Sequence, residues 1–419
     1  MASASGDVAG DDRDGFGVVL WEASPSGLSV SKVVLEMIQM PPVSRMLWID
    51  HLRMFVILLV VNMHACVTYS HVGGWYVTSA NEPTLTQKVP FILWQGSLQS
   101  FFMGLLFFVS GYFANGSLAR RGTGAFLRER VFRLGLPALV YMLLIHPFIL
   151  VGLNPWHADF GPTRAFYLGF LRSGQWLGSS GPLWFVIALL IFCMGLAAWR
   201  GLCRLDPREL ATPPGRVPTI GMLICFACFL GMSSFFVRLV QPIGTNVLNM
   251  QLCFFPQYIA FFAAGVSASR HGWLQPLASS TMSRRIGWMA LFGGPLALLC
   301  LMMVFGTKDG IAAYFGGWHW QAFGIAVWEQ FSGVGLSLGL LALFSQRFDR
   351  ARPGLRWLAD RSFGVYLFHA PILVGLMMLF RSLPQNLYFL VALLTAAGLC
   401  SSFALADIAR RIPGLRAIV

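Results

Sequence analysis

Apolar stretches of about 18–24 residues recur along almost the whole chain, each long enough as a helix to cross a hydrocarbon core about 30 Å thick. Ten of them fit, over roughly 50–70, 91–114, 134–153, 181–199, 218–240, 251–269, 286–305, 321–344, 362–380 and 386–407. Within lipid each backbone N–H and C=O has to be satisfied inside the protein, which for isolated apolar runs of this length means helix. The predicted fold class is therefore all-α, an integral membrane protein with about ten transmembrane helices in the lipid bilayer. Composition agrees: 56% of the residues are apolar and 11% are charged, against about 25% charged in a soluble domain.

The net charge of +13 would suggest a polyanionic partner in a soluble protein. Here the basic residues are sorted by loop instead. Of the 30 Lys and Arg, only Lys88, Arg164, Arg172, Arg238, Lys308 and Arg381 fall on one side of the ten-span arrangement. The rest lie on the side that carries both termini. The side richer in Lys and Arg is cytoplasmic, so a multi-pass protein of the inner (plasma) membrane with both termini in the cytoplasm is expected, and no nucleic-acid partner.

Residues 1–47 differ from the remainder. The opening MASASGDVAGDDRDG is small and acidic, with no basic segment ahead of an apolar core, so no signal peptide is read and a disordered cytoplasmic tail is expected, with a short amphipathic helix at 33–40. A transmembrane domain over 48–410 and a cytoplasmic tail over 411–419 complete the division. Most of the eight cysteines sit in apolar runs, as small hydrophobes. Cys225 and Cys228 form an isolated CxxC without a second pair, and His146, His157 and His319 have no ligand spacing, so no metal is expected.

The chemistry has to come from ionisable groups inside the spans, which are expensive there and mark function by default. In WIDHLRMFVILLVVNMHACV, Arg53 and His64 are eleven residues apart, about three turns plus 20°, so they share a helix face about 16 Å apart along the axis. His71 continues that stripe, and Asp50 lies one turn before Arg53. His64 is the histidine deepest in the first span, and imidazole titrates near neutrality, at about 6.5 unperturbed, which suits a general base. Glu329, in WEQFSG, falls about 12 Å inside span eight from the outer side, a depth similar to that of His64. It is predicted to orient the histidine. The basic ARRGTGAFLRERVFR holds Arg130 and Arg133 one turn apart at the entry of span three, a fork pair suited to phosphate. On the opposite side, two loops over 70–90 and 155–181 mix Trp, Tyr, Asn, Ser and His, side chains that stack on and hydrogen-bond to sugars.

Five segments in this order resemble the acyltransferase-3 family of polytopic membrane acyltransferases: IDHLR and ten residues on His64; FFVSGYF at Phe107–Phe113; RERVFRLGLP with Arg130 and Arg133; GPLWFV at Gly181–Val186; and SFGVYLFHAPIL at Ser362–Leu373. The resemblance runs from about residue 46 to the C-terminus and is closest to the branch of the glucan succinyltransferases, with FMGLL in place of a glycine-rich lead-in to FFVSG. It implies an O-acyltransferase that takes an acetyl or succinyl group from cytoplasmic acyl-CoA and delivers it to a hydroxyl of an extracytoplasmic saccharide or glycan. His64 is then the base, Glu329 its partner, and Arg53, Arg130 and Arg133 the donor-binding arginines. No permanently bound cofactor is expected; acyl-CoA is a substrate. The rival from another class is a proton-coupled transporter or flippase for a lipid-linked saccharide, with His64 and Glu329 relaying protons.

Overall fold

The computed structural model describes residues 46–153, 163–203, 217–306, 309–383 and 386–417. The expected tail helix at 33–40 and most of the loop over 155–181 around His157 lie outside the described residues. Among those described there are twelve α-helices of six residues or more, and no strands. They are α1 (Leu47–Ser70), α2 (Leu85–Arg121), α3 (Thr123–Leu153), α4 (Thr163–Arg172), α5 (Trp184–Leu202), α6 (Ile220–Val240), α7 (Phe255–His271), α8 (Leu274–Ser279), α9 (Thr281–Phe305), α10 (Trp320–Arg347), α11 (Pro353–Phe380) and α12 (Leu387–Arg411). All but the short α4 and α8 are long and apolar enough to cross a membrane, so ten candidate spans stand where the apolar runs place them, and the chain is a multi-pass membrane protein.

Polar residues set the ends of these helices. Thr84 opens α2 with a reciprocal cap: Thr84 Oγ1 accepts from the Gln87 N–H at 3.4 Å, and Gln87 Oε1 accepts from the Thr84 N–H at 2.9 Å. Thr219, Ser280 and Asn386 cap α6, α9 and α12 through a side-chain oxygen in the same way. α2 extends past its expected span at both ends and α11 starts at Pro353 rather than near 362, but α3 departs most, starting at Thr123 rather than near 134. Its first turns, TGAFLRER, are polar, and hydropathy alone cannot see a helix there. Arg130 and Arg133 consequently lie within a continuous helix and not at its entry. That helix widens to five-residue turns over Val131–Gly135, Tyr141–Ile145 and Ile149–Leu153. The three lie on either side of Pro137 and Pro147, which cannot donate to the ordinary helical ladder.

α2 and α10 are the most enclosed spans and α9 the least. α2 meets α7 at backbone distance: a methyl added to Gly111 would collide with the Phe262 carbonyl, and one added to Gly265 with the Phe108 carbonyl. The glycine of FFVSGYF thus serves close helix packing, as small residues do between membrane helices. Around it Phe107 packs against Phe185, Phe192 and Tyr258, with ring centroids 4.6–5.1 Å apart.

Candidate active site

α1 ends abruptly. His71 takes a left-handed conformation at φ 57° and hydrogen-bonds Ser79 Oγ through Nε2 at 3.1 Å, while the Ser79 N–H donates to the Thr68 carbonyl at 2.8 Å. The expected histidine stripe therefore stops at His64, because His71 turns the chain. Gln95 of α2 pins the same corner, accepting from Ser70 Oγ at 3.0 Å and donating to the Val72 carbonyl at 3.0 Å. The loop folded back in this way lays Trp75 on His64, ring centroids 3.8 Å apart and planes 20° apart. His369 of α11 stacks near the same ring at 5.3 Å, also at 20°.

Each of these three rings has a sheltered nitrogen, His64 Nδ1, Trp75 Nε1 and His369 Nε2, with no hydrogen-bond partner among the described residues. Buried polar atoms are almost always paired, so three gathered here call for hydrogen-bond partners from outside the chain, whether water or ligand. His369 also has a defined tautomer. Its Nδ1 lies 2.7 Å from the Tyr366 carbonyl, which only accepts, so the proton is on Nδ1 and Nε2 presents a lone pair in the neutral ring. His64 as a whole residue is half-buried, with its Nδ1 withdrawn from solvent beneath Trp75.

A second tier surrounds these rings. Tyr76 Oη is 2.9 Å from both Tyr141 Oη and His146 Nδ1, which links the loop to α3. Burial pushes the Tyr76 hydroxyl well above the usual phenol range, so it remains protonated. GPLWF closes the tier. Gly181 has φ 49°, and a methyl added there would collide with Tyr76 Oη and come within 2.7 Å of Tyr141. The Pro182 carbonyl accepts from Tyr366 Oη, and Trp184 stacks on Tyr258 of α7 at 5.6 Å.

The expected pairing of Glu329 with His64 does not occur. Glu329 of α10 forms a buried ion pair with Arg238 of α6, whose guanidinium lies 5.5 Å from the Phe254 ring. Arg238 stands alone in the sequence of its span, and a buried carboxylate and a buried guanidinium within reach pair with each other before either pairs with a neutral ring. Glu329 Oε1 and Arg238 Nε and Nη1 have no further partner among the described residues. Trp75 and His369 take the place next to His64 that the depth argument gave to the carboxylate.

The three arginines expected at the donor end lie toward the basic end of the bundle. Arg53 is exposed on α1. Arg130 is half-buried over the Phe126 ring at 5.2 Å, with its Nε sheltered and unpartnered. Arg133 is exposed and 3.4 Å from Glu129, a carboxylate that it shares with Arg121 at 2.6 Å. The pair is thus unequal. The sequence held a signal for His369, in SFGVYLFHAPIL, and for Trp75, in GGWY, but no spacing rule joins either to His64.

Comparison with known proteins agrees with this architecture. Residues 46–411 match the acyltransferase-3 family model, described as an acyltransferase domain. The chain is similar to "Glucans biosynthesis protein C" of Salmonella gallinarum, 27% identical over 246 residues, covering 55% of this chain and 60% of that protein. The same-named protein of Salmonella agona is 26% identical over 240 residues, with the same coverage. The match thus spans about 60% of the length of these curated relatives. No solved structure matches.

Proposed function

This chain belongs to the acyltransferase-3 family, and we propose that it is an integral membrane O-acyltransferase moving an acetyl or succinyl group from acyl-CoA to a hydroxyl of a glycan across the membrane. The observation that carries this reading is the cluster of three unpartnered ring nitrogens on His64, Trp75 and His369 at the end of the bundle opposite the basic loops. An acceptor hydroxyl entering there would satisfy groups that are otherwise costly to bury.

In this mechanism His64 takes the proton of the acceptor hydroxyl as its oxygen attacks the thioester carbonyl. The new C–O bond forms, the C–S bond breaks, and the proton passes to the departing CoA thiolate. His369 Nε2, fixed as an acceptor, orients the same hydroxyl or the water that accompanies it. Arg130 is the principal phosphate contact for the donor, with Arg53 and Arg133 adding positive charge on the side taken as cytoplasmic. The names of the relatives support a glucan-like acceptor. Membranes carrying the protein should move label from acetyl-CoA or succinyl-CoA into envelope glycan, and His64→Ala should abolish that transfer while CoA still binds. Transfer at the wild-type rate by a folded His64→Ala protein would remove the reading.

A further inference from the structure

We infer that the bundle carries a binding site for an anionic phospholipid in a groove between α9 and α10, separate from the candidate active site and independent of the proposed acyl transfer. The groove has a volume of about 640 Å³ and lies at the basic end of the bundle. Three arginines rim it: Arg284 in the first turn of α9, Arg347 at the end of α10 and Arg352 capping α11. No Asp or Glu lines it, and no ion pair or side-chain hydrogen bond occupies any of the three among the described residues.

Below this rim the walls are hydrocarbon. α9 and α10 cross at backbone contact, where a methyl on Gly287 would run into the Gly339 Cα. The two helices stay close further along, where a methyl on Gly335 would meet Ala290 Cβ, and the groove lies over this seam of small residues. Leu291 and Leu343 are exposed along it, and Trp288, one turn below Arg284, is 54% exposed. Unpaired guanidinium forks, then an interfacial tryptophan, then an apolar trough is the order of a phospholipid read from headgroup to chain. Basic pockets between spans take anionic headgroups in this way. Arg matches phosphate oxygens bidentately. The charge fits an anionic lipid and not a zwitterionic one, because the rim offers no carboxylate for a choline or ethanolamine group.

The test uses the full-length protein in nanodiscs. A photoactivatable phosphatidylglycerol should cross-link to α9 and α10, and native mass spectra should retain phosphatidylglycerol well above phosphatidylcholine. Replacing Arg284, Arg347 and Arg352 by Gln should weaken retention about fivefold for each arginine removed, and Arg→Lys should preserve part of it. If the triple variant fails to fold, the wild-type cross-link map decides alone. Cross-links elsewhere, equal retention of the two lipids, displacement of the lipid by excess CoA or inorganic phosphate, or a cross-link between two copies through this groove would each overturn the proposal.

Discussion

Glu329 is bound to Arg238, ninety-one residues earlier in the chain, and both side chains are withdrawn from solvent. The relationship joins α6 to α10 near residues 309–319, where the Gly317 N–H donates to the Arg238 carbonyl at 3.4 Å. Removing one partner of such a pair leaves a buried charge uncompensated, which costs about 3–5 kcal/mol. Glu329→Gln should therefore lower folded yield and thermal stability by that order. The double change Arg238→Met with Glu329→Leu should restore most of it, since apolar replacement of a whole pair is often neutral. Thermal unfolding in detergent measures both. Full stability with lost turnover in Glu329→Gln would instead return the carboxylate to the chemistry.

The His64 stack separates three roles that kinetics can resolve. His64→Ala removes the base and should abolish turnover. His369→Ala removes a fixed acceptor that orients the hydroxyl and should lower kcat by about 10²-fold, the range for a misplaced reactant, with CoA affinity unchanged. Trp75→Phe keeps the aromatic contact with His64 and deletes only the indole N–H. It should raise the acceptor KM with a smaller effect on kcat, whereas Trp75→Ala should depress both. Steady-state rates against acceptor concentration distinguish these patterns. Equal behaviour of Trp75→Phe and the wild type would assign the indole N–H to packing.

Nearly all of the fold was legible, because hydropathy and helix length report the same physical constraint that the bilayer imposes. The exceptions were the polar starts of α11, at Pro353, and above all of α3, where TGAFLRER is polar and Phe126 is the one side chain of that stretch that is fully buried. The candidate site was legible only in part. Axial depth along a helix can be counted from sequence, and it placed His64 and Glu329 at similar levels. The direction in which each faces depends on how helices are arranged around the bundle axis, which no local pattern encodes. Depth alone therefore pairs Glu329 with His64 where the structure pairs it with Arg238, and it leaves His369, although in a recognisable motif, unconnected to His64.

Gly181 offers a sharper test of how the second tier is held. Its φ of 49° favours glycine, and an added methyl would meet both Tyr76 and Tyr141. Gly181→Ala should push Tyr76 from its contacts with Tyr141 and His146, and with it the loop that carries Trp75. The expected outcome is a folded protein with transfer reduced at least tenfold, about 1.4 kcal/mol of transition-state stabilisation, and Trp75 fluorescence moved toward that of an exposed indole in a background where the other tryptophans are replaced. Asn249→Ala, which removes hydrogen bonds to Ser180 Oγ at 3.0 Å and the Gly181 carbonyl at 2.7 Å, should act in the same direction more weakly. Normal transfer by Gly181→Ala would show that GPLWF sets helix packing alone.

The donor arginines make the last prediction, and their surroundings make it asymmetric. Arg133 is exposed and already shares Glu129 with Arg121, so its charge is screened by water and partly neutralised by a neighbour. Arg130 is half-buried, rests on Phe126 and keeps a sheltered Nε without a partner. An incoming phosphate would gain more from the second than from the first, because attraction grows as water is excluded. Arg130→Ala should weaken CoA binding about tenfold or more, the loss of a charge-assisted hydrogen bond worth about 1.5–3 kcal/mol. Arg133→Ala should cost only about twofold to fivefold, within the range of an exposed ion pair. Binding to both the wild type and Arg133→Ala should fall as salt rises, and the fall should be shallower for Arg130→Ala. Calorimetric titration of CoA into the three purified proteins at two salt concentrations decides it. Equal losses would make the two arginines one undifferentiated basic patch, and no loss from either would leave both as markers of orientation.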